Sequence, residues 1–243
     1  MFKILVYLTL SLLILTSSLL AQGNVSPIVN SEGEKLTFSV NYMGMPVGRS
    51  LMTFSKENTP DTYSIEVKTQ SFPFFSLFYQ VEDRIKSTIN NQFQTCKFEK
   101  YLQEGNYTKN ETIIFDHQEN LAYVNKHPVK IPTLIYDPLS ALYQIRQQEL
   151  IIGNSSYLNV ISSKNIYKLE IEVLKKERLY TLFGEISTIV IKPKMLFEGI
   201  FKHCGEILIW LTDDSFKIPV LIKSKIPLGS IYAVLIKREI PLK

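Results

Sequence analysis

Most of this chain alternates apolar and polar residues with a period of two. Residues 35–43 set Leu36, Phe38, Val40 and Tyr42 against Thr37, Ser39 and Asn41, and residues 167–175 set Tyr167, Leu169, Ile171 and Val173 against Lys168, Glu170 and Glu172. Alternation of this kind predicts strands with one buried face. The same reading predicts strands over 47–56, 63–69, 81–89, 98–103, 106–116, 121–124, 129–131, 157–162, 179–183, 187–195, 206–211, 218–225 and 231–237. Turn residues separate them: Met43-Gly44-Met45-Pro46, Asn58-Thr59-Pro60-Asp61, Glu104-Gly105, Gly184, Asp213-Asp214, Pro227 and Gly229.

Two stretches break the alternation. The first is Asp137-Pro138-Leu139-Ser140-Ala141-Leu142-Tyr143-Gln144-Ile145-Arg146. Asp137 suits an N-cap, Pro138 suits the first helical position, and Leu139, Leu142, Tyr143 and Ile145–Arg146 fall on one face at helical spacing. A helix over about 137–149 is predicted, with Gly153 as its stop. The second stretch is Phe72-Pro73-Phe74-Phe75-Ser76-Leu77-Phe78-Tyr79, dense in aromatics and without period. It reads as a short helical turn or plug, expected to fill the core because aromatics usually bury within a domain. The alternative is a wall for an apolar ligand or a membrane-facing patch. Many short strands around one helix predict a mainly β fold, an antiparallel sheet curled into a barrel or roll with one central amphipathic helix. Lys and Glu recur on the polar faces, which disfavours an outer-membrane barrel.

The start of the chain places it in a compartment. Lys3 precedes an apolar run from Ile4 to Leu20, followed by Ala21-Gln22-Gly23. That layout predicts a signal peptide over 1–21, a flexible leader over 22–33 and a single domain over 34–240, exported to the periplasm or beyond. A retained membrane anchor is the alternative. Without residues 1–21 the chain carries 26 basic against 23 acidic residues, interspersed and without a basic stripe, so nucleic acid is not an expected partner. Cys96 and Cys204 could pair in an oxidising space. The loop of about 108 residues would stabilise the fold by roughly 4–5 kcal/mol. Two buried free thiols are the other reading.

Candidate chemistry is sparse. His117, His127 and His203 do not share a metal-ligand spacing, and adjacent His203 and Cys204 would point to opposite faces of a strand, so no metal site or cofactor is expected. No nucleophile elbow, zinc-protease helix or phosphate-binding glycine loop occurs in the sequence. Asp213-Asp214 reads better as a turn than as half of a glycosidase pair. Asp83 falls on the predicted inward side of its strand, where it needs Arg49, Arg84 or a backbone N–H as partner. A structural ion pair is expected.

Several separated pieces together resemble the exported bacterial proteins grouped as domain of unknown function 3108. They are Tyr42, Gly44 and Pro46-Val47-Gly48, the strand with Asp83, Glu104-Gly105 with Tyr107, and Asp137-Pro138-Leu139-Ser140-Ala141-Leu142-Tyr143. Later marks are Gly199, Gly205, Trp210-Leu211-Thr212-Asp213-Asp214, Pro219 and Gly229. The resemblance implies an exported, mainly β domain without an established activity. The composition adds an expectation of its own, a non-enzymatic binding module for a lipid-like or apolar ligand held by Phe72, Phe74, Phe75, Phe78 and Leu142. A structural or protein-interaction module of the envelope is the alternative, and a glycan-acting enzyme is the weakest reading.

Overall fold

A computed structural model describes residues 32–196 and 206–239. The predicted signal peptide over 1–21, nearly all of the predicted leader over 22–33, His203 and Cys204 lie outside the described residues. The first half of the chain supplies β1 (Lys35–Tyr42), β2 (Met45–Lys56), β3 (Thr62–Ser71), the short helix α1 (Pro73–Ser76), β4 (Glu82–Asn90), β5 (Thr95–Glu104), β6 (Tyr107–Asp116), β7 (Leu121–Val124) and β8 (His127–Lys130). Helix α2 (Pro138–Arg146) follows. The second half supplies β9 (Ser155–Ser162), β10 (Asn165–Thr181), β11 (Gly184–Leu196), β12 (Ile207–Thr212), β13 (Pro219–Ile226) and β14 (Gly229–Glu239).

All fourteen strands form one antiparallel sheet in the order β8-β7-β6-β5-β4-β3-β2-β1-β14-β13-β12-β11-β10-β9. The first and last strands pair at its middle, with Phe38 opposite Leu235 and Val40 opposite Ala233. The edges are therefore β8 and β9, which are consecutive in sequence. Between them runs the segment that carries α2. The expected closure into a barrel is not made, because this connection occupies the place where the edges would have to pair. It is instead stitched to both sides: Tyr136 and Asn159–Ile161 exchange backbone hydrogen bonds of 2.9 Å each, Asn159 Nδ2 donates to the Leu134 carbonyl at 3.1 Å, and Ile131 N–H donates to the carbonyl of Asn120, just before β7, at 2.9 Å. Even so the two halves approach each other. Lys109 on β6 donates to Ser163 in the β9–β10 turn at 2.7 Å, and Ile161 of β9 shares a buried cluster with Phe98, Ile113 and Ile131.

The helix is shorter than expected. It ends at Arg146 with Gln147 as C-cap, and Gly153, at φ +83°, turns the chain only further on. Gln147 to Glu149 are polar and largely exposed, so they have no packing to hold them helical. Five of the nine helical residues are buried. Tyr143 joins the cluster of Leu36, Phe38, Phe54 and Trp210, while Ala141 and Ile145 join that of Val160, Ile171 and Leu211. The segments 167–175 and 179–183 form one strand, β10, rather than two. A bulge between Val173 and Lys175 resets the alternation, and Lys175, Lys176 and Glu177 continue the pairing with β11.

Antiparallel pairing fixes where the turns lie. The β1–β2, β3–β4, β5–β6, β7–β8, β9–β10 and β13–β14 connections all emerge at one end of the sheet. Hydrogen bonds tie several of these connections into one rim. Phe72 N–H donates to Val47 O at 2.9 Å, Gly105 N–H to Gln80 O at 2.7 Å, and the Tyr42 hydroxyl to Leu228 O at 2.9 Å.

Candidate functional site

Two buried polar clusters surround α2. In the first, Asp137 caps the helix by accepting from the Leu139 and Ser140 N–H groups at 2.8 and 3.2 Å, and Ser140 completes a capping box by accepting from the Asp137 N–H. The remaining carboxylate oxygen accepts from Ser87 of β4 and Thr95 of β5 at 2.5 and 2.7 Å. Asp137, Ser87, Thr95 and Ser140 are all inaccessible to solvent. The helix start that the sequence announces is thus also the bolt that fixes the helix to the sheet.

The second cluster was not legible as a site. Glu34, immediately before β1, receives both terminal nitrogens of Arg146 at 2.8 and 2.7 Å and the Tyr143 hydroxyl at 2.8 Å. The Arg146 Nε donates to Phe216 O at 3.1 Å, and the guanidinium stands 4.5 Å over the Tyr143 ring. Burial, with Glu34 beside it, pushes the Tyr143 hydroxyl well above the usual phenol range. For Arg146 burial acts against the charged form, and the bonds to Glu34 more than offset it, so the guanidinium stays protonated. The only available signal was a charge closing the apolar face of the helix; nothing marked Glu34 as its partner. Each side-chain nitrogen and oxygen of this cluster has a hydrogen-bond partner, as a structural cluster requires.

Asp83 and Arg84 do not pair. Arg84 is bound to Glu66 at 2.6 Å on the exposed face, because neighbours on a strand point opposite ways. Asp83 is half-buried and accepts the Gln103 N–H at 3.1 Å, the backbone partner the sequence allowed for. Burial, with Glu104 adding to it, pushes its carboxyl above the ordinary aspartate value, against the pull of that hydrogen bond. Asp213 pairs with Lys176 at 2.8 Å, and Asp214 accepts from Thr212, Phe216 and Lys217, the pattern of a turn residue. Cys96 is half-buried on β5, and burial raises its thiol. His117 hydrogen-bonds the Thr95 carbonyl at 2.7 Å. Among the described residues no group of three or more His, Cys, Asp or Glu is placed to hold a metal.

The aromatic segment overturns its expected place in the core. Phe74 is 65% exposed, Leu77 80% and Phe78 78%. Phe74 meets Phe75 and Phe78 edge to face, with ring centroids 5.4 and 5.7 Å apart. Polar bonds hold the segment in this position: the Ser71 and Ser76 hydroxyls lie 2.7 Å apart, Ser76 donates to Phe72 O at 3.1 Å, and Val81 N–H donates to Ser71 at 2.9 Å. The Tyr79 ring lies against Gly105, where a Cβ would come within 2.9 Å of it. Leu142 packs against core clusters that contain none of residues 72–79, so the structure does not bring it to the aromatic group.

A family model described as "Protein of unknown function (DUF3108)" matches residues 37–236. The chain belongs to this family. The match takes in the strands from β1 nearly to the end of β14, together with the Asp137 helix and the aromatic segment of this DUF3108 chain. No curated protein matches it. Among solved structures it is similar to a "beta-barrel-like protein of domain of unknown function DUF1849" from Brucella abortus, with 7% identity and a TM-score of 0.62, over 87% of this chain and 99% of that one. A DUF1089 family protein from Pseudomonas aeruginosa matches at 8% identity and a TM-score of 0.40, over 70% of this chain and 87% of that one. The Brucella likeness shows a shared barrel-like fold, here with an open sheet.

Proposed function

We propose that this DUF3108 chain is an exported, non-enzymatic binding module of the cell envelope that engages a lipid-like or other apolar ligand at its surface. The observation that carries this reading is the exposed aromatic cluster of Phe74, Leu77 and Phe78 on α1 and the turn after it. Other large apolar side chains are exposed singly or in pairs, Tyr180 and Leu182 among them, whereas this segment gathers several side by side, and a contiguous apolar patch left in water marks an interaction site. Binding at the surface fits better than binding inside, since Leu36, Phe54, Ile65, Ile171 and Leu211 belong to packed clusters. The reading therefore rests on the aromatic segment and not on Leu142. Delipidated protein titrated with a fluorescent fatty acid is expected to bind it, and Phe74→Ser with Phe78→Ser to weaken binding at least about tenfold. Failure of the unaltered protein to take up the probe would sink the reading.

A protein-interaction role has an observation of its own. The β10–β11 hairpin outruns its neighbours, and its tip exposes Tyr180 and Leu182. Its flanking charges are matched within the fold by the Arg178–Glu185, Lys175–Glu177 and Lys176–Asp213 pairs. Pull-down with Tyr180→Ser and Leu182→Ser as control tests this reading, which fails if both baits recover the same proteins.

A further inference from the structure

We infer that the rim bearing α1 is a docking face for an anionic lipid bilayer, a proposal that rests on the apolar-ligand reading and names the lipid phase it addresses. Three features of the rim converge. The first is the spacing of its apolar side chains. Phe74, Leu77 and Phe78 on the β3–β4 connection, Met43 on the β1–β2 turn and Leu228 on the β13–β14 turn are all strongly exposed. They sit at separate tips along one end of the sheet, an arrangement that suits a planar interface better than a pocket.

The second feature is charge. Lys126 at the β7–β8 tip, Lys164 at the β9–β10 tip and Lys225 beside the β13–β14 tip are exposed. None of them forms an ion pair with a described residue; Glu206, the carboxylate that senses Lys225, is itself bound to Lys192. Lys225 also lines an open hollow of about 610 Å³ together with Met43, Ser230 and Tyr232, so a cation and an apolar tip share one recess. The rim carries acids too: Glu82, Asp83 and Glu104 beside the aromatic segment, and Glu206 opposite Lys225, where Lys192 offsets it. The unpaired cations lie on the other tips, where a headgroup plane would reach them.

The third feature is the backbone at two of these tips. Met43 has φ +50° and Lys126 φ +72°, a region that favours Asn, Asp or Gly. Neither side chain is buried by way of compensation. Their two-residue hairpin turns call for this conformation, which also occurs off the rim at Phe93 and Lys217; what suits an interface is that an exposed Met and an exposed Lys hold these turn positions where Asn or Gly would sit at less cost.

The test is co-sedimentation of the chain from Gln22 onward with vesicles of phosphatidylcholine alone, or of phosphatidylcholine and phosphatidylglycerol in equal parts. Binding to the mixed vesicles is expected, weakening with salt and falling on the order of a hundredfold in Lys126→Glu/Lys164→Glu/Lys225→Glu, at roughly fivefold per cation. Met43→Asn is expected to weaken binding while raising the melting temperature, two shifts that a purely structural residue would not combine. Equal binding to both kinds of vesicle, unmoved by charge reversal, would overturn the inference and leave the apolar-ligand reading standing. Absence of sedimentation with either kind would overturn it as well, and the fatty-acid titration would then decide the underlying reading separately.

Discussion

Glu34 and Arg146 lie in the core with their side chains each 1% exposed, while Leu77 and Phe78 stand in water at the rim of the same sheet. Both regions reverse the ordinary placement of polar and apolar groups, and only one reversal is compensated inside the molecule. The buried charges meet each other, a phenol and a backbone carbonyl. The exposed Phe74 and Phe78 meet each other and leave most of their surface in water. Folding accounts for the first arrangement, since a paired and fully bonded charge can persist in a dry interior. It does not account for the second, and function is sought where the chain's own contacts fall short.

The contrast can be broken most sharply at the ion pair. Glu34→Ala strands the Arg146 charge and the Tyr143 hydroxyl, and a loss of about 3–5 kcal/mol is expected in denaturant unfolding. Replacing both charges, Glu34→Leu with Arg146→Met, leaves only the Tyr143 hydroxyl and the Phe216 carbonyl without their partners and is expected to recover part of that loss. If the single and double variants unfold alike, the pair is not the isolated, desolvated unit described here. The next effect is at the helix cap. Asp137→Ala removes a cap contributing about 1 kcal/mol and leaves the Ser87 and Thr95 hydroxyls without their acceptor, so a loss of about 2–4 kcal/mol is expected. Asp137→Asn, which keeps one acceptor oxygen, should lose less. Equal losses in the two variants would mean that the hydroxyl bonds contribute nothing.

These two clusters also show where sequence reading stops. The strands were legible because alternation is local, and the Asp137-Pro138 start was legible because a cap is a relation between residues three apart. Glu34 and Arg146 are 112 positions apart, and nothing near either residue announces the other. The openness of the sheet was equally out of reach. It depends on whether β8 pairs with β9, and the 131–136 segment takes that place through backbone bonds that any sequence could make. The aromatic segment failed for a different reason. Its composition was read with the rule that aromatics bury, whereas the Ser71–Ser76 contact and the bonds to Val47 and Gly105 hold it outside. The rule describes domains as closed systems, and a segment that departs from it points to something beyond the chain.

The smallest effect concerns Asp83, which stands between the two regions: half-buried, at the rim, with one backbone bond and Glu104 nearby. Its carboxyl is held above the ordinary aspartate value, so over some range of pH the folded chain keeps a proton that the unfolded chain has released. The contribution of protonated Asp83 to stability is therefore complete below about pH 3.9, the unfolded value, and is lost as pH rises through the folded value. Asp83→Asn retains the acceptor for Gln103 N–H and cannot ionise. It is expected to be more stable than the unaltered chain at neutral pH, by about 0.5 kcal/mol or less for a partly solvated group. The difference should shrink as pH falls through the titration of Asp83. A constant difference across that range would mean that the carboxyl is solvated like any surface aspartate.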